Sequence, residues 1–398
     1  MSVALLDNSL DVLLDAAGEI VVVDDAPISL SYGAIGNTQA SSYTFELVDP
    51  YGNLLADLSN LCTTRHFVVR RNRAETISLS MDQGQLESLC TTLGTTVRGL
   101  LAPGVNEIRV KRGSRYLFGT QCQYLQAALD GDKRTIDVRA VGFLEVLKDR
   151  FLYPSDTLTY AATDIGAIAW NFINATQSRT NGSFGFTQGT IQPSHLIGDT
   201  WKPYATNIRD ILIALTQRIN SIDFDFSYDK KFNVYYPGIG SVKNELRFSY
   251  PGNIKSLKLP VDASELATLV FARGSGNGDQ QVIRTYPATS TAEQAVYTLR
   301  EVIDDYPSIN VEQTLIDKAS EHYRKNATPT TIPALTLDGN IEPYLGAYWI
   351  GDSVPLSVDK KAGSVYAPLD GQVWRVNEID VTIDENDSEN IALKVGLS

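Results

Sequence analysis

Paired carboxylates are the first residues in this sequence whose types and spacing could do chemistry. Asp223 and Asp225 stand two apart, and Glu301, Asp304 and Asp305 form a second group. A glycoside hydrolase places two carboxyl groups across a cleft and raises the pKa of one so that it can donate a proton. In the run Asp223-Phe224-Asp225-Phe226 the alternation of a strand points both carboxylates one way and both rings the other. A half-exposed strand accounts for that pattern without catalysis. The three histidines are His66, His195 and His322. Cys62 and His66 are spaced for one helical turn and a shared metal, yet no third ligand lies near them and 67–69 reads as strand. Next to Arg65, Thr63 and Thr64 bring hydroxyl groups near His66, but no nearby acid would orient the imidazole, so a partly buried structural histidine is expected.

Gly274, Gly276 and Gly278 imitate part of a nucleotide-binding fingerprint. A phosphate loop needs a helix behind it, whose free amides hold the anion, and a strand-like segment follows here, so a hairpin turn is expected. Asp384, Asn386 and Asp387 resemble part of a calcium loop but lack its glycine and its distal glutamate. The sequence contains nineteen Tyr and four Trp (Trp170, Trp201, Trp349 and Trp374). Tyr344, Tyr348 and Trp349 cluster beside Gly346 and Gly351, and Phe184 and Phe186 form a second group. Aromatic rings serve a packed core, an oligomer interface or a sugar platform, and packing is the simplest reading. These constellations name no catalytic, cofactor-binding or metal-ligating residue.

The elements that would have to position such residues belong to a long acidic chain. Its 398 residues exceed what one core usually organises, and two to four compact units are expected. With 43% hydrophobic and 20% charged residues, the composition is that of a folded protein. A formal charge of −13 argues against binding a phosphate backbone or an anionic membrane. No apolar run is long enough to span a bilayer. The opening residues carry no basic region and Asp7 and Asp11 interrupt them, so they do not read as a secretory signal, and the sequons at Asn174, Asn181, Asn326 and Asn386 carry no meaning. Cys62, Cys90 and Cys122 are too few for a disulfide framework and suit a reducing compartment.

Along the chain, 1–37 reads as an arm or opening hairpin with strands at 19–24 and 28–32. From 38 to 150 the pattern is β: Tyr43, Phe45 and Leu47 alternate, Asp49-Pro50-Tyr51-Gly52 makes a turn, and Ile77, Leu79 and Met81 alternate again. A weak helix at 85–97 interrupts it, Asp130-Gly131-Asp132 makes a hairpin turn, and a short helix at 142–149 closes it. The region 151–252 is α/β. Asp164 caps one helix and Asn207 caps another that carries Ile208, Ile211, Leu212 and Leu215 on one face. From 253 to 398 strands return, with a helix at 311–325 inserted among them. The fold class expected is β-rich α+β, with two β-barrel or sandwich domains and α/β insertions between them.

Several pieces in order carry a family resemblance: YTFELVDPYGNLLADL (43–58), VGFLEVLKDRFLYPSDTLTY (141–160), NGSFGFTQGTI (181–191), the stretch 208–226, SYPGNIKSLKL (249–259), LGAYWIGDSVPLSV (345–358) and WRVNEIDVTIDENDSENIALKVGL (374–397). Together they resemble the tail-hub or baseplate-hub proteins of long-tailed bacteriophages, a family that includes tail-associated lysins and minor tail proteins. The resemblance implies a minimal hub without a C-terminal lytic domain, a structural protein and not an enzyme. It implies two tail-tube-like barrels per chain (38–150 and 253–398), so that a homotrimer presents six alike units to a six-fold tail tube and a three-fold face to the tip. It also implies partners: distal tail or tail tube proteins, the C-terminus of the tape measure protein and a central fibre or spike. DNA would pass through the lumen without specific binding, and this chain would not insert into a membrane. The location implied is the virion, at the tail tip, after assembly in the host cytoplasm. An acidic lumen would let DNA slide by repelling its phosphates. A carbohydrate-binding tail protein, using the aromatic clusters, is the alternative.

Overall fold

The computed structural model describes residues 42–397, apart from Ile219, Asn277 and Ser308; the expected arm at 1–37 and its two strands lie outside these. The first β region contains β1 (Tyr43–Val48), β2 (Leu54–Asp57), β3 (Cys62–Arg70), β4 (Thr76–Asp82), β5 (Glu107–Arg112), β6 (Arg115–Asp130) and β7 (Lys133–Gly142). The alternation that predicts these strands is the alternation that buries them: Ile77, Leu79 and Met81 of β4 face the core while the residues between them are half-buried. The weak helix resolves into two, α1 (Gln83–Thr92) and α2 (Val97–Leu101), capped by the side chains of Asp82 and Thr96. Gly94, at φ +66°, is one of the residues between them.

The insertion contains β8 (Thr159–Asp164), α3 (Ile165–Gln177), β9 (Thr187–Ile191), β10 (Leu196–Thr200), α4 (Ile208–Leu215), β11 (Asp223–Phe226) and β12 (Lys231–Tyr235). The caps expected from sequence are in place: Asp164 accepts from the amides of Gly166 and Ala167, and Asn207 from that of Asp210. The apolar faces of α3 and α4 close on Phe224, Phe226 and Phe232 in one core. The stretch around His195, which reads as a loop, is framed by β9 and β10, strands too short and polar to show by pattern.

The remaining strands are β13 (Phe248–Tyr250), β14 (Ile254–Lys258), β15 (Val261–Asp262), β16 (Leu269–Arg273), β17 (Ile283–Tyr286), β18 (Glu301–Asp305), β19 (Thr330–Thr331), β20 (Ala334–Asp338), β21 (Ser353–Val358), β22 (Val373–Ile383) and β23 (Glu389–Leu397). The helices are α5 (Ala292–Tyr297) and α6 (Glu312–Asn326). Strands from both β regions form one 13-stranded sheet, in the order β14-β20-β23-β22-β3-β4-β7-β6-β5-β1-β2 with β21 and β13 branching from β22. The join is β22. Its start pairs with β21 (Ser353 to Arg375), and beyond an irregularity at 376–378 its remainder pairs with β3 (Arg70 to Glu378, Arg65 to Ile383). The sheet rolls up: Phe67 on β3 meets both Tyr43 on β1 and Phe118 on β6 at ring distances of 5.5 Å.

Residues 263–329 form a lobe set apart from this sheet. β17-β16-β18 make a three-stranded sheet and α6 covers one face, burying Ala267, Val270, Ala272, Leu315 and Ala319. The lobe hangs on β15 and β19, two residues each, paired with one another. Its other sheet face is open, with Ile283 and Ile303 exposed.

Candidate functional site

Three buried polar nodes tie the regions together. Alternation along β5 turns Ile108, Val110 and Arg112 inward. Arg112 then meets Glu389 at the start of β23, Nη2 to Oε2 2.9 Å, and donates to the carbonyl of Leu345. The Tyr43 hydroxyl donates to the same carboxylate. Burial raises the Glu389 carboxyl, and Arg112 and Tyr43 hold it the other way; burial and the Glu389 charge push the Tyr43 phenol well up.

Asp223 forms the second node. It is 1% exposed and accepts from Arg71 Nε (2.9 Å), Asn72 Nδ2 (2.6 Å), Arg375 Nη2 (3.1 Å) and the amide of Ile239 (2.9 Å). It therefore binds the β3–β4 turn, the insertion and β22 at one carboxylate. Burial and the Arg71 charge lower the Arg375 guanidinium. Beside this node Gly240 (φ +89°) passes so close to Gly351 that a Cβ on Gly240 would lie 2.2 Å from the Gly351 carbonyl carbon. The approach lets Ser241 donate its amide to Asp352. The third node is Lys230, in the β11–β12 turn, whose ammonium reaches Glu107 at 2.5 Å and the Pro50 carbonyl at 2.8 Å. Tyr228 of the same turn stacks on Tyr116 at 3.9 Å.

The half-exposed strand expected at Asp223–Phe226 is corrected here: the phenylalanines pack into the insertion core while Asp223 is sealed by arginines arriving from distant segments. Asp225 bonds Asn233 and Tyr235, and burial pushes it up to about 6. Burial raises nearby Glu75 to about 8, with the Asp225 charge adding to the rise. These paired carboxylates are knotted into the fold and do not flank a cleft.

His66 does acquire an acid, Asp380 Oδ1 at 2.8 Å from Nε2, supplied by β22 across the sheet. The pair stands half-buried on the outer face, and no hydroxyl bonds the ring among the described residues. Cys62 is buried and donates to the Leu58 carbonyl, so it shares no site with His66. Burial raises the Cys62 and Cys122 thiols to about 12. Gly274, Gly276 and Gly278 lie in the β16–β17 hairpin, as their spacing predicts. Asp384 closes its own turn by accepting from the amides of Asn386 and Ser388, and Asp387 pairs with Arg65. Among the described residues, no group of three or more His, Cys, Asp or Glu is placed to hold a metal ion. Tyr348 and Trp349, 0% and 5% exposed, are core residues. Phe186 is buried as well, and the face of Phe184 is covered by Arg150 at 4.5 Å. None of these rings offers an open sugar platform.

In the lobe, Asp304 Oδ2 accepts from His322 Nδ1 at 2.8 Å, and the Tyr306 hydroxyl lies 3.4 Å from the same oxygen. Burial and the Asp304 charge raise Tyr306 to about 12. Asp305 instead pairs twice with Arg273, at 2.6 Å. Sequence reasoning named Asp304, Asp305 and Asp223 but missed Arg112, Glu389, Lys230 and Glu107. The inward phase of Arg112 on β5 was the one local signal for them. No helix of the described residues is long and apolar enough to cross a membrane.

This architecture is that of phage tail proteins, and solved structures share it across nearly the whole chain. A 43 kDa tail protein of prophage MuSo2 from Shewanella oneidensis superposes with a TM-score of 0.63 at 13% identity, over 89% of this chain and 98% of that one. A tail protein from Neisseria meningitidis MC58 gives 0.60 at 10% identity, over 89% and 96%. Prophage tail protein gp18 from Listeria monocytogenes EGD-e gives 0.52 at 12% identity, over 88% and 94%. No family model and no curated protein matches the sequence. The strand-rich fold implied by the sequence resemblance is thus the fold observed.

Proposed function

We propose that this chain is a structural, non-catalytic subunit of a bacteriophage tail, acting as the hub at the tail tip. The observation that carries the reading is the end-to-end likeness of its fold to prophage tail proteins, covering 89% of this chain and 98% of the MuSo2 protein. The single sheet that weds the first β region to the last supports it: β22 joins strands of the two, and in this reading 38–150 and 253–398 are the two tube-like units with 151–252 inserted between them. Three such chains would offer six alike units to a six-fold tube and a three-fold face to a tip, a closed ring with heterologous contacts. In this reading the partners are tube or distal-tail rings above, the tape measure C-terminus within, and a fibre or spike below. The net charge of −13 suits a lumen that repels DNA phosphates.

A cryo-EM map of assembled tails tests this. The expected result is three copies of this chain in one ring at the tip, with carboxylates lining the channel. A single copy, a six-copy ring, or a position off the axis overturns the hub assignment. A neutral or basic lumen overturns the account of DNA passage alone.

A further inference from the structure

Between the lobe and the end of α4 lies a cleft of about 620 Å³ that the hub reading does not use. One wall is the turn after α4, with Thr216, Gln217, Arg218 and Ser221. The other is one face of α6, where Lys318, Glu321, His322 and Lys325 follow the i, i+3, i+4, i+7 spacing of a helical stripe. Leu315 and Ala319, on the flank of that helix that His322 borders, anchor it to the lobe sheet.

The chemistry of the two walls is lopsided. In a chain of charge −13, the cleft is lined by Arg218, Lys318 and Lys325 with Glu321 as its one lining carboxylate, while Asp199 and Asp304 hold Arg218 and His322 from behind. Glu321 is already shared, with Lys325 at 2.8 Å and Lys318 at 3.3 Å. Burial favours its neutral form, but the hydrogen bond from Lys325 and the two ammonium charges outweigh burial and leave its pKa lowered, so it stays ionised and still covers only one of two cations. Arg218 is held by Asp199 and lies over the Trp201 ring at 5.8 Å, which aims it without sealing it. Asp304 grips His322 through Nδ1, which orients Nε2 away from Asp304 and leaves it to the cleft. Among the described residues no hydrogen bond or ion pair crosses from one wall to the other. Cations therefore stand on both sides of a gap with nothing between them.

We propose that this cleft binds a phosphate ester carried on a polyol, with the phosphate lodged between Arg218 and the Lys318–Lys325 face of α6. Arg218 lines the cleft from one wall and Lys318 and Lys325 from the other, and the three terminal oxygens of a phosphate ester present acceptors over a wider spread of directions than a carboxylate does. The cleft is of the size that takes a small organic ligand and is too large for the ion alone. The neutral groups of Thr216, Gln217, Ser221 and Asn326 supply hydrogen bonds for hydroxyl groups. Because the lobe hangs on the mutual pairing of β15 and β19, and among the described residues none of its strands pairs with the large sheet, a ligand touching both walls also clamps the lobe in place.

The test is titration of the full chain with glycerol 3-phosphate, inorganic phosphate, glycerol, and sodium chloride at matched ionic strength. It is followed by the side-chain NMR signals of His322 and by calorimetry. Saturable movement of the His322 signals by glycerol 3-phosphate is expected, with inorganic phosphate binding more weakly. Arg218→Gln and Lys318→Gln are each expected to weaken binding about tenfold, the loss of one charge-assisted contact. Unchanged melting of these half-exposed variants separates lost binding from lost fold. Movement matched by chloride, or variants that bind like the parent, overturns the site. Equal affinity for phosphate and glycerol 3-phosphate overturns the polyol assignment.

Discussion

In the rolled sheet, Arg112 and Glu389 meet with 1% and 3% of their side chains exposed; in the lobe, Arg273 and Asp305 meet with 38% and 58% exposed. The two pairs are made of the same chemistry and do different things. The buried pair is surrounded by Tyr43, Tyr348 and Leu345, and removing one partner strands a charge where water cannot reach it. The exposed pair trades one set of water contacts for another and is screened by salt. Core size differs likewise. The sheet buries long files of Ile, Leu, Val and Phe, whereas the lobe, among the described residues, closes on five fully buried apolar residues, none of them from β17 or β18. The comparison teaches that the described sheet and insertion are densely tied together while the lobe at 263–329 is lightly built, and that the lobe is where change is cheapest.

The largest effect that would break this contrast is at Glu389. Glu389→Ala should cost about 3–5 kcal/mol in denaturant unfolding of the sheet, because Arg112 is left buried and unpaired. Replacing both Arg112 and Glu389 by apolar residues should recover most of that loss; a single variant that unfolds like the parent would end the claim that the node seals the sheet. Next comes Leu315→Ala, expected to cost about 2–4 kcal/mol within the lobe. Hydrogen exchange should then quicken in 263–329 and stay slow in β3, β4 and β22. Equal loss of protection in both regions would show that the lobe is not a separate cooperative unit.

A third, smaller effect depends on pH and has opposite signs in the two regions. Glu75 and Asp225, at the sheet–insertion junction, are raised to about 8 and about 6 from ordinary values of 4.5 and 3.8, chiefly by burial. The folded chain there holds protons that the unfolded chain releases, so this contribution is full below those ordinary values and is lost as pH rises through 6 and 8. Glu75→Gln should remove much of that slope and stabilise the protein at pH 8 by on the order of 1–3 kcal/mol relative to its effect at pH 5. In the lobe, Glu321 is lowered, so its contribution is present above the ordinary value and is lost as pH falls. Thermal melts from pH 4 to 9 check both, and a Glu75→Gln slope identical to the parent's would refute the junction assignment. The smallest effect is at Arg273: Arg273→Ala should leave the unfolding midpoint of both regions unchanged within error.

Local patterns carried much of the architecture. Alternation in 43–48 and 76–82 and the caps at Asp164 and Asn207 rest on contacts within a few residues, so they are readable from sequence and they fold as read. The hairpin at Gly274–Gly278 is legible for the same reason. The nodes were not legible, because Asp223 takes its arginines from positions 71 and 375 and His66 takes its acid from 380. Two-residue β15 and β19 have too few positions to show any period, and so the lobe they suspend was visible only as a helix inserted among strands.

The partner exchange along β22 bears on how the chain is made. Its outer-face pair, Arg70 with Glu378, joins residues 308 apart in sequence. At ribosomal speeds the β3 edge waits roughly 15–60 s for its neighbour to be translated. Until then the nascent sheet offers an open flank to anything that can add a strand. Completion of the sheet therefore waits on the translation of β22, and a copy interrupted before it lacks the strand that joins the two β regions.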